Sequence, residues 1–242
     1  MKLLWEIEDA DIRKVKEFYE ENKNNGLVLW RWERNVEGRF SRFSRDAFWK
    51  EMVVCLMTTQ ARAGPDSAVS RFAGQKPFPL RYRECKERRN LKSFVRRTLT
   101  DFGGIRRNIT ISEQVHDNFR WLEKQDGWEE IKKVVRKVST NPQPETEVEA
   151  ADFVDQCLKG FGPKQSRNLL QGLGLTKYEI PIDSRITRWL NDFGFPVTLS
   201  ATALSDRDYY KLVSRGLREL SAACDLYPCM LDAAIFSSFD AR

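Results

Sequence analysis

A lysine and an aspartate nineteen residues apart carry the reactive chemistry of this chain. Lys164 ends the run Leu158-Lys159-Gly160-Phe161-Gly162-Pro163-Lys164, and Asp183 ends Ile180-Pro181-Ile182-Asp183. Pro163 suits the first position of a helix, because the N–H it lacks would be unpaired there anyway. That puts Lys164 on the first turn, where the positive end of the helix disfavours a charged amine. Desolvation in a cleft would push the same way. A neutral amine is what nucleophilic catalysis by lysine requires. Asp183 precedes the apolar series Ile186, Trp189, Leu190 and Phe193, so it reads as a helix N-cap whose carboxylate stays ionised. Free N–H groups at the glycine turn and the new helix start attract a phosphate without reading sequence.

The elements that must position this pair follow from the flanking pattern. Thr146 and Glu149 form a capping box ahead of Ala150, Ala151, Val154, Cys157 and Leu158, an amphipathic helical series. Gly160 and Gly162 then allow a tight hairpin with close backbone approach. Leu169, Leu170 and Leu173 continue the apolar stripe of the second helix towards Gly172 and Gly174. Residues 147–173 thus form a helix, a Gly-x-Gly hairpin and a helix.

With the lysine and the aspartate, this unit resembles the helix-hairpin-helix DNA glycosylase superfamily, which includes endonuclease III and the 8-oxoguanine DNA glycosylases. The pattern is L-x-G-[VIF]-G-x-K followed by [VI]-D after some eighteen or nineteen residues. Lysine at the Lys164 position marks members that also cleave the strand. Many members read D-x-H where this chain reads Asp183-Ser184-Arg185, a departure that leaves the reacting pair intact. The resemblance implies an all-α fold of two helical lobes with the active-site cleft between them. Residues 45–183 would form one lobe, and residues 1–44 with 184–242 the other. It also implies roles for further residues. Gln60, in Thr58-Thr59-Gln60-Ala61, matches the amide that fills the stack when a nucleotide is flipped out. In Gly103-Gly104-Ile105-Arg106-Arg107, Ile105 matches an apolar wedge and Arg106 a donor to the orphaned base. Read without the resemblance, Gln60 is a polar helix end and Ile105 a half-buried residue of a plain helical turn.

Composition narrows the remaining classes. A hydrophobic fraction of 41% with 12% aromatics suffices for a core, and no apolar run approaches membrane-spanning length. The opening MKLLWEIEDAD turns acidic too early for a signal peptide, so an intracellular protein is expected, cytoplasmic at the nucleoid or nuclear. Five scattered cysteines fit reduced thiols. Some superfamily members hold an iron–sulfur cluster on four closely spaced C-terminal cysteines. Only Cys224 and Cys229 lie there, so no cluster and no other cofactor is expected. A monovalent cation at the hairpin is possible when DNA is bound. The single histidine, His116, leaves little room for a histidine-built metal site, and none is expected.

Net charge is +6 with pI near 9.1, and its placement matters more than its size. Residues 81–97 hold eight basic residues against Glu84 and Glu87. Arg89, Lys92 and Arg96 share one helical face and lead into the Ile105 turn with Arg106 and Arg107, a plausible phosphate-facing surface. Elsewhere, Asp9 is expected to cap a helix with Ile12, Val15, Phe18 and Tyr19 buried, and Ser44 with Asp46 to start another. Residues 26–43 read as extended or irregular. The last helices start near Asp183, Asp206 and Pro228.

The expected function is therefore a bifunctional DNA glycosylase and AP lyase acting as a monomer on double-stranded DNA with a damaged base. An oxidised purine such as 8-oxoguanine is favoured, and Phe236 and Phe239 are candidates for the base pocket. Two alternatives stand beside it: a non-catalytic DNA-binding helix-hairpin-helix module, and a glycosylase for oxidised pyrimidines or another modified base.

Overall fold

The computed structural model of the protein describes residues 5–38, 43–59, 64, 66–124 and 126–240, and among these it contains thirteen α-helices and no strand. Gln60, with its expected role in filling the base stack, lies outside the described residues. The helices are α1 (Asp9–Asn22), α2 (Gly26–Arg31), α3 (Arg45–Thr58), α4 (Ala68–Ala73), α5 (Tyr82–Lys86), α6 (Leu91–Phe102), α7 (Asn108–Leu122), α8 (Gly127–Thr140), α9 (Pro144–Cys157), α10 (Pro163–Gly172), α11 (Ser184–Phe193), α12 (Arg207–Ala223) and α13 (Pro228–Asp240).

Two hydrophobic cores organise them. The first is built around α3, whose Phe48, Trp49, Met52, Val53 and Leu56 are sealed by residues of α4 to α10 as far as Leu175. Burial of each such side chain stabilises the fold by about 1.5–3 kcal/mol. Trp49 keeps its polar edge satisfied by donating Nε1–H to the Leu80 carbonyl at 2.8 Å. The second core joins the two ends of the chain: Val15 of α1 and Val28 of α2 pack with buried residues of α11, α12 and α13. Ile180 and Ile182 belong to this second core. The chain therefore crosses between cores just after Leu175, slightly before the boundary expected at Asp183, because those two isoleucines point into the second lobe's interior.

Three local expectations are corrected. Residues 26–36 are helical rather than extended: α2 runs into one π-helical turn over Trp32–Val36. The Asn25 side chain caps α2 by accepting the Leu27 N–H at 2.9 Å, and packing of α2 against α13 overrides the strand preference of its aromatic residues. The capping box at Thr146 and Glu149 does not form. Pro144 takes the first helical position, so α9 starts earlier; Thr146 Oγ1 accepts from Asn141 Nδ2, and Glu149 pairs with Lys137. At α1 the cap is Glu8 rather than Asp9, and its N–H donates to Asp11 Oδ2 at 3.2 Å. Ser44 and Asp206 cap α3 and α12 through their side-chain oxygens, and α13 starts at Pro228.

Candidate active site

The hairpin between α9 and α10 is held from behind by α7. Asn118 clamps Lys159 by accepting its N–H at 2.6 Å and donating Nδ2–H to its carbonyl at 3.0 Å. Gly160 sits at φ +86° with the Gln114 side chain pressed where a Cβ would be, so only glycine fits. Phe161 is buried in the first core, which turns the backbone back into α10. Pro163 occupies the first helical position and Lys164 the next. Its side chain is half-buried and makes no hydrogen bond or ion pair among the described residues. A lysine in that position keeps its amine available as donor or nucleophile.

Asp183 caps α11: its Oδ1 accepts N–H groups of Arg185 at 2.8 Å and Ile186 at 3.1 Å, while Oδ2 lies 3.5 Å from the Arg185 guanidinium. Those contacts hold the carboxylate in place at the start of the helix. The segment leading to it is pinned by buried charges. Glu147 of α9 accepts the N–H groups of Lys177, Tyr178 and Glu179 at 3.0, 2.8 and 2.8 Å. Burial pushes the Glu147 carboxyl up to about 7 against the pull of those three bonds. Glu179 pairs with Arg167 of α10, one turn beyond Lys164, and also engages Ser214 and Arg218 of α12. Tyr210 donates to the Ile180 carbonyl and accepts the Ile182 N–H. Lys164 and Asp183 are thus set relative to one another by contacts from α9, α10 and α12.

Side chains from both cores meet at Asp232. Asp232 of α13 is 6% exposed and accepts Gln171 Nε2–H of α10 at 3.0 Å, with Arg31 Nη2 of α2 at 3.7 Å. Burial pushes its carboxyl up to about 6; Arg31 opposes this, the Asp183 charge adds to it, and the Lys164 charge opposes it. Asp232 therefore lies in the electrostatic reach of both members of the pair. Cys55 of α3 also feels Lys164, but burial pushes its thiol up, so it stays neutral. Asn168 and Gln165 of α10 bond to the end of α3 through Cys55 and Thr59, tying the Lys164 turn to the helix that leads into Gln60. The seam presents one unpaired amine, two carboxylates and the amides of α10. Such a set can hold a cationic centre, transfer protons and accept N–H donors.

The other expected site residues fall on separate surfaces. Gly103 and Gly104, both at positive φ, form the second hairpin, from which Arg106 projects into solvent. Ile105, expected as a wedge, is instead 7% exposed and packed in the first core. It anchors the turn from below, because its side chain is worth more against that core than in water. Arg107 adopts the left-handed conformation at the start of α7. Arg89, Lys92 and Arg96 are exposed, with Lys92 paired to Glu113 at 2.7 Å. Phe236 is half-buried beside the Asp183 end of the seam, under the Arg185 guanidinium at 3.8 Å from its ring centroid. Phe239 lines a separate groove with Phe18, Arg188 and Trp189. Sequence reasoning missed Asp232, Gln171 and Arg31. The available signal was one acid within the otherwise apolar run Cys229-Met230-Leu231-Asp232-Ala233-Ala234-Ile235.

Among the described residues, no group of three or more His, Cys, Asp or Glu side chains is placed to hold a metal, and no helix is long and apolar enough to cross a membrane. No family profile and no curated protein matches the sequence. Solved structures match along nearly the whole length of both chains, and three of them are as follows. The 8-oxoguanine DNA glycosylase of Methanocaldococcus jannaschii matches at 20% identity and a TM-score of 0.64, covering 98% of this chain and 99% of that one. The glycosylase/lyase from the same organism, in complex with a 15mer DNA containing 8-oxoguanine, matches at 19% identity and 0.68, covering 95% and 98%. The 8-oxoguanine DNA glycosylase of Thermotoga maritima matches at 17% identity and 0.65, covering 97% and 98%. This chain shares their all-helical fold.

Proposed function

We propose that the chain is a bifunctional DNA glycosylase and AP lyase that excises an oxidised purine, 8-oxoguanine before others, from double-stranded DNA. The observation that supports this most is the Lys164 amine on the first turn of α10, with no hydrogen bond or ion pair among the described residues, in a chain that also fixes the Asp183 carboxylate at the start of α11. The shared fold with glycosylases acting on 8-oxoguanine supports the substrate class.

In this reading the damaged nucleotide is extruded into the seam, with the duplex held by phosphate contacts at the hairpin and on the arginine-rich face. Neutral Lys164 attacks C1′ as the glycosidic bond breaks, and the base leaves with the bonding electrons and takes up a proton. The anionic Asp183 stabilises positive charge developing on the sugar and helps remove a proton from the lysine. Ring opening gives a Schiff base between Lys164 and C1′. Loss of the C2′ proton then expels the 3′ phosphate and breaks the strand. A carboxylate alone would direct water at C1′; the amine is what holds the sugar covalently. No cofactor takes part in these steps.

Borohydride trapping on a duplex containing 8-oxoguanine tests the proposal. Wild type is expected to form a covalent complex that disappears in Lys164→Gln. Trapping that persists in Lys164→Gln removes Lys164 as the nucleophile. DNA binding with neither excision nor trapping in the wild type would leave a binding module.

A further inference from the structure

Both glycine hairpins are mounted on one helix. The second hairpin opens α7, whose N-cap is Arg107. The first is held by residues further along α7, with Gln114 against Gly160 and Asn118 on the backbone of Lys159. At about 1.5 Å per residue, positions 107 and 118 stand roughly 16 Å apart along the helix axis. A surface groove follows α7 in the same direction. One concavity of about 300 Å³ reaches from Lys92 to Lys159, and another of about 370 Å³ continues past Arg120 to Lys124. Asp117 and Lys159 line both, which makes them one groove. Its charge is lopsided. Lys92 and Glu113 neutralise each other at 2.7 Å. That leaves Lys159, Arg120 and Lys124, all exposed and with side chains that form no hydrogen bond or ion pair among the described residues, against the unpaired carboxylate of Asp117.

Resting on the glycosylase reading above, we propose that this groove carries the sugar–phosphate backbone of the bound duplex beyond the first hairpin, with Lys159, Arg120 and Lys124 contacting successive phosphates. Continuity argues for DNA rather than an acidic peptide. Lys159 immediately precedes Gly160, so the groove starts where the hairpin N–H groups would already hold one phosphate. The spacing agrees. Each strand of a duplex carries one charge about every 3.4 Å along its axis, so a duplex bridging both hairpins covers about five base pairs along α7. Lys124 stands roughly 9 Å beyond Asn118 on the same helix, which is about two to three phosphates further. Unpaired cations gathered in a concavity repel one another, and a polyanion relieves that repulsion. Such contacts sense charge and not sequence. The groove therefore lengthens the footprint on one side of the lesion without selecting the damaged base.

Binding to duplexes that contain 8-oxoguanine tests this, with the DNA left long or shortened on one side of the lesion or on the other. On the long duplex, the double variant Arg120→Gln, Lys124→Gln is expected to bind about 10-fold more weakly than wild type at low salt, and its slope of log Kd against log salt to fall by about two. Shortening one side of the lesion should abolish the difference between variant and wild type, and shortening the other side should preserve it. Asp117→Asn, which removes the unpaired acid, should tighten binding to the long duplex by about 2- to 5-fold. A double variant with the wild-type slope and affinity overturns the proposal. Equal weakening on all three duplexes also overturns it, because only the net charge would then have mattered. Single-turnover excision at saturating enzyme should keep the wild-type rate in all variants, since none of these side chains touches the reacting atoms. A wild type that binds these duplexes and excises nothing removes the glycosylase reading, whereas the slope and the shortened duplexes still decide the groove.

Discussion

Replacing Glu147 by glutamine should flatten the pH dependence of stability. The Glu147 carboxyl is fully buried and is raised from its ordinary value of 4.5 to about 7, chiefly by desolvation. The folded protein therefore binds this proton more tightly than the unfolded chain. Its contribution to stability is fully present below about pH 4.5 and is lost as pH rises through 7. The interval is about 2.5 pK units, worth roughly 3 kcal/mol at 1.36 kcal/mol per unit. Glutamine cannot titrate, so the wild-type advantage over Glu147→Gln should shrink by about that amount between pH 4.5 and pH 8. A constant offset is expected on top of this. One oxygen of Glu147 accepts from Lys177 and the other from Tyr178 and Glu179, so the glutamine amide must turn a donor towards one buried N–H. That mismatch costs about 1–3 kcal/mol at every pH. Urea unfolding of both proteins across the range gives the difference curve directly. A difference that stays flat from pH 4.5 to 8 would refute the argument that burial outweighs the three backbone bonds.

Three further outcomes follow from the geometry. Asp183→Asn keeps a good capping oxygen at the start of α11, so its melting temperature should match wild type, while single-turnover excision falls roughly 100-fold or more for want of the charge; parallel losses of both would make Asp183 a structural cap only. Asn118→Ala removes both bonds to Lys159 and should cost about 2 kcal/mol in urea unfolding, with DNA affinity lowered further because the hairpin is no longer held. The triple change Arg89→Gln, Lys92→Gln, Arg96→Gln should reduce the slope of log Kd against log salt by about two rather than three, because Lys92 is already paired with Glu113; an unchanged slope would take this face off the DNA.

What could be read from the sequence is what local rules determine. Pro163, Gly160 and Asp183 act within a few residues of themselves, so the hairpin, the Lys164 turn and the α11 cap were all legible. Long apolar periodicities likewise gave α3 and α12. Legibility failed where partners distant in sequence decide the outcome. Residues 26–36 carry an aromatic pattern suited to a strand, yet they are helical because α13, some two hundred residues away, covers them. Ile105 matched an apolar wedge through the resemblance of its glycine turn, and nothing nearby in sequence reveals that the first core lies beneath it.

The same distinction separates the two carboxylates of the seam. Asp183 is recognisable because its first duty is local: it caps the helix that follows it. Asp232 caps nothing, and its partners Gln171 and Arg31 are 61 residues away and on the opposite end of the chain. Only the closed fold explains why the cost of burying it is tolerated. That asymmetry extends to the network behind the seam, where Glu147, Arg167 and Glu179 are all sealed from solvent. Charges so expensive to bury would be replaced at little loss by apolar side chains if packing were their only task. Here they bond to the backbone of residues 177–179 and to α12, and Cys229, at the start of α13, donates its N–H to the Lys177 carbonyl. One pinned segment therefore sets the Asp183 cap and the origin of the helix bearing Asp232, so the two carboxylates cannot move independently of each other.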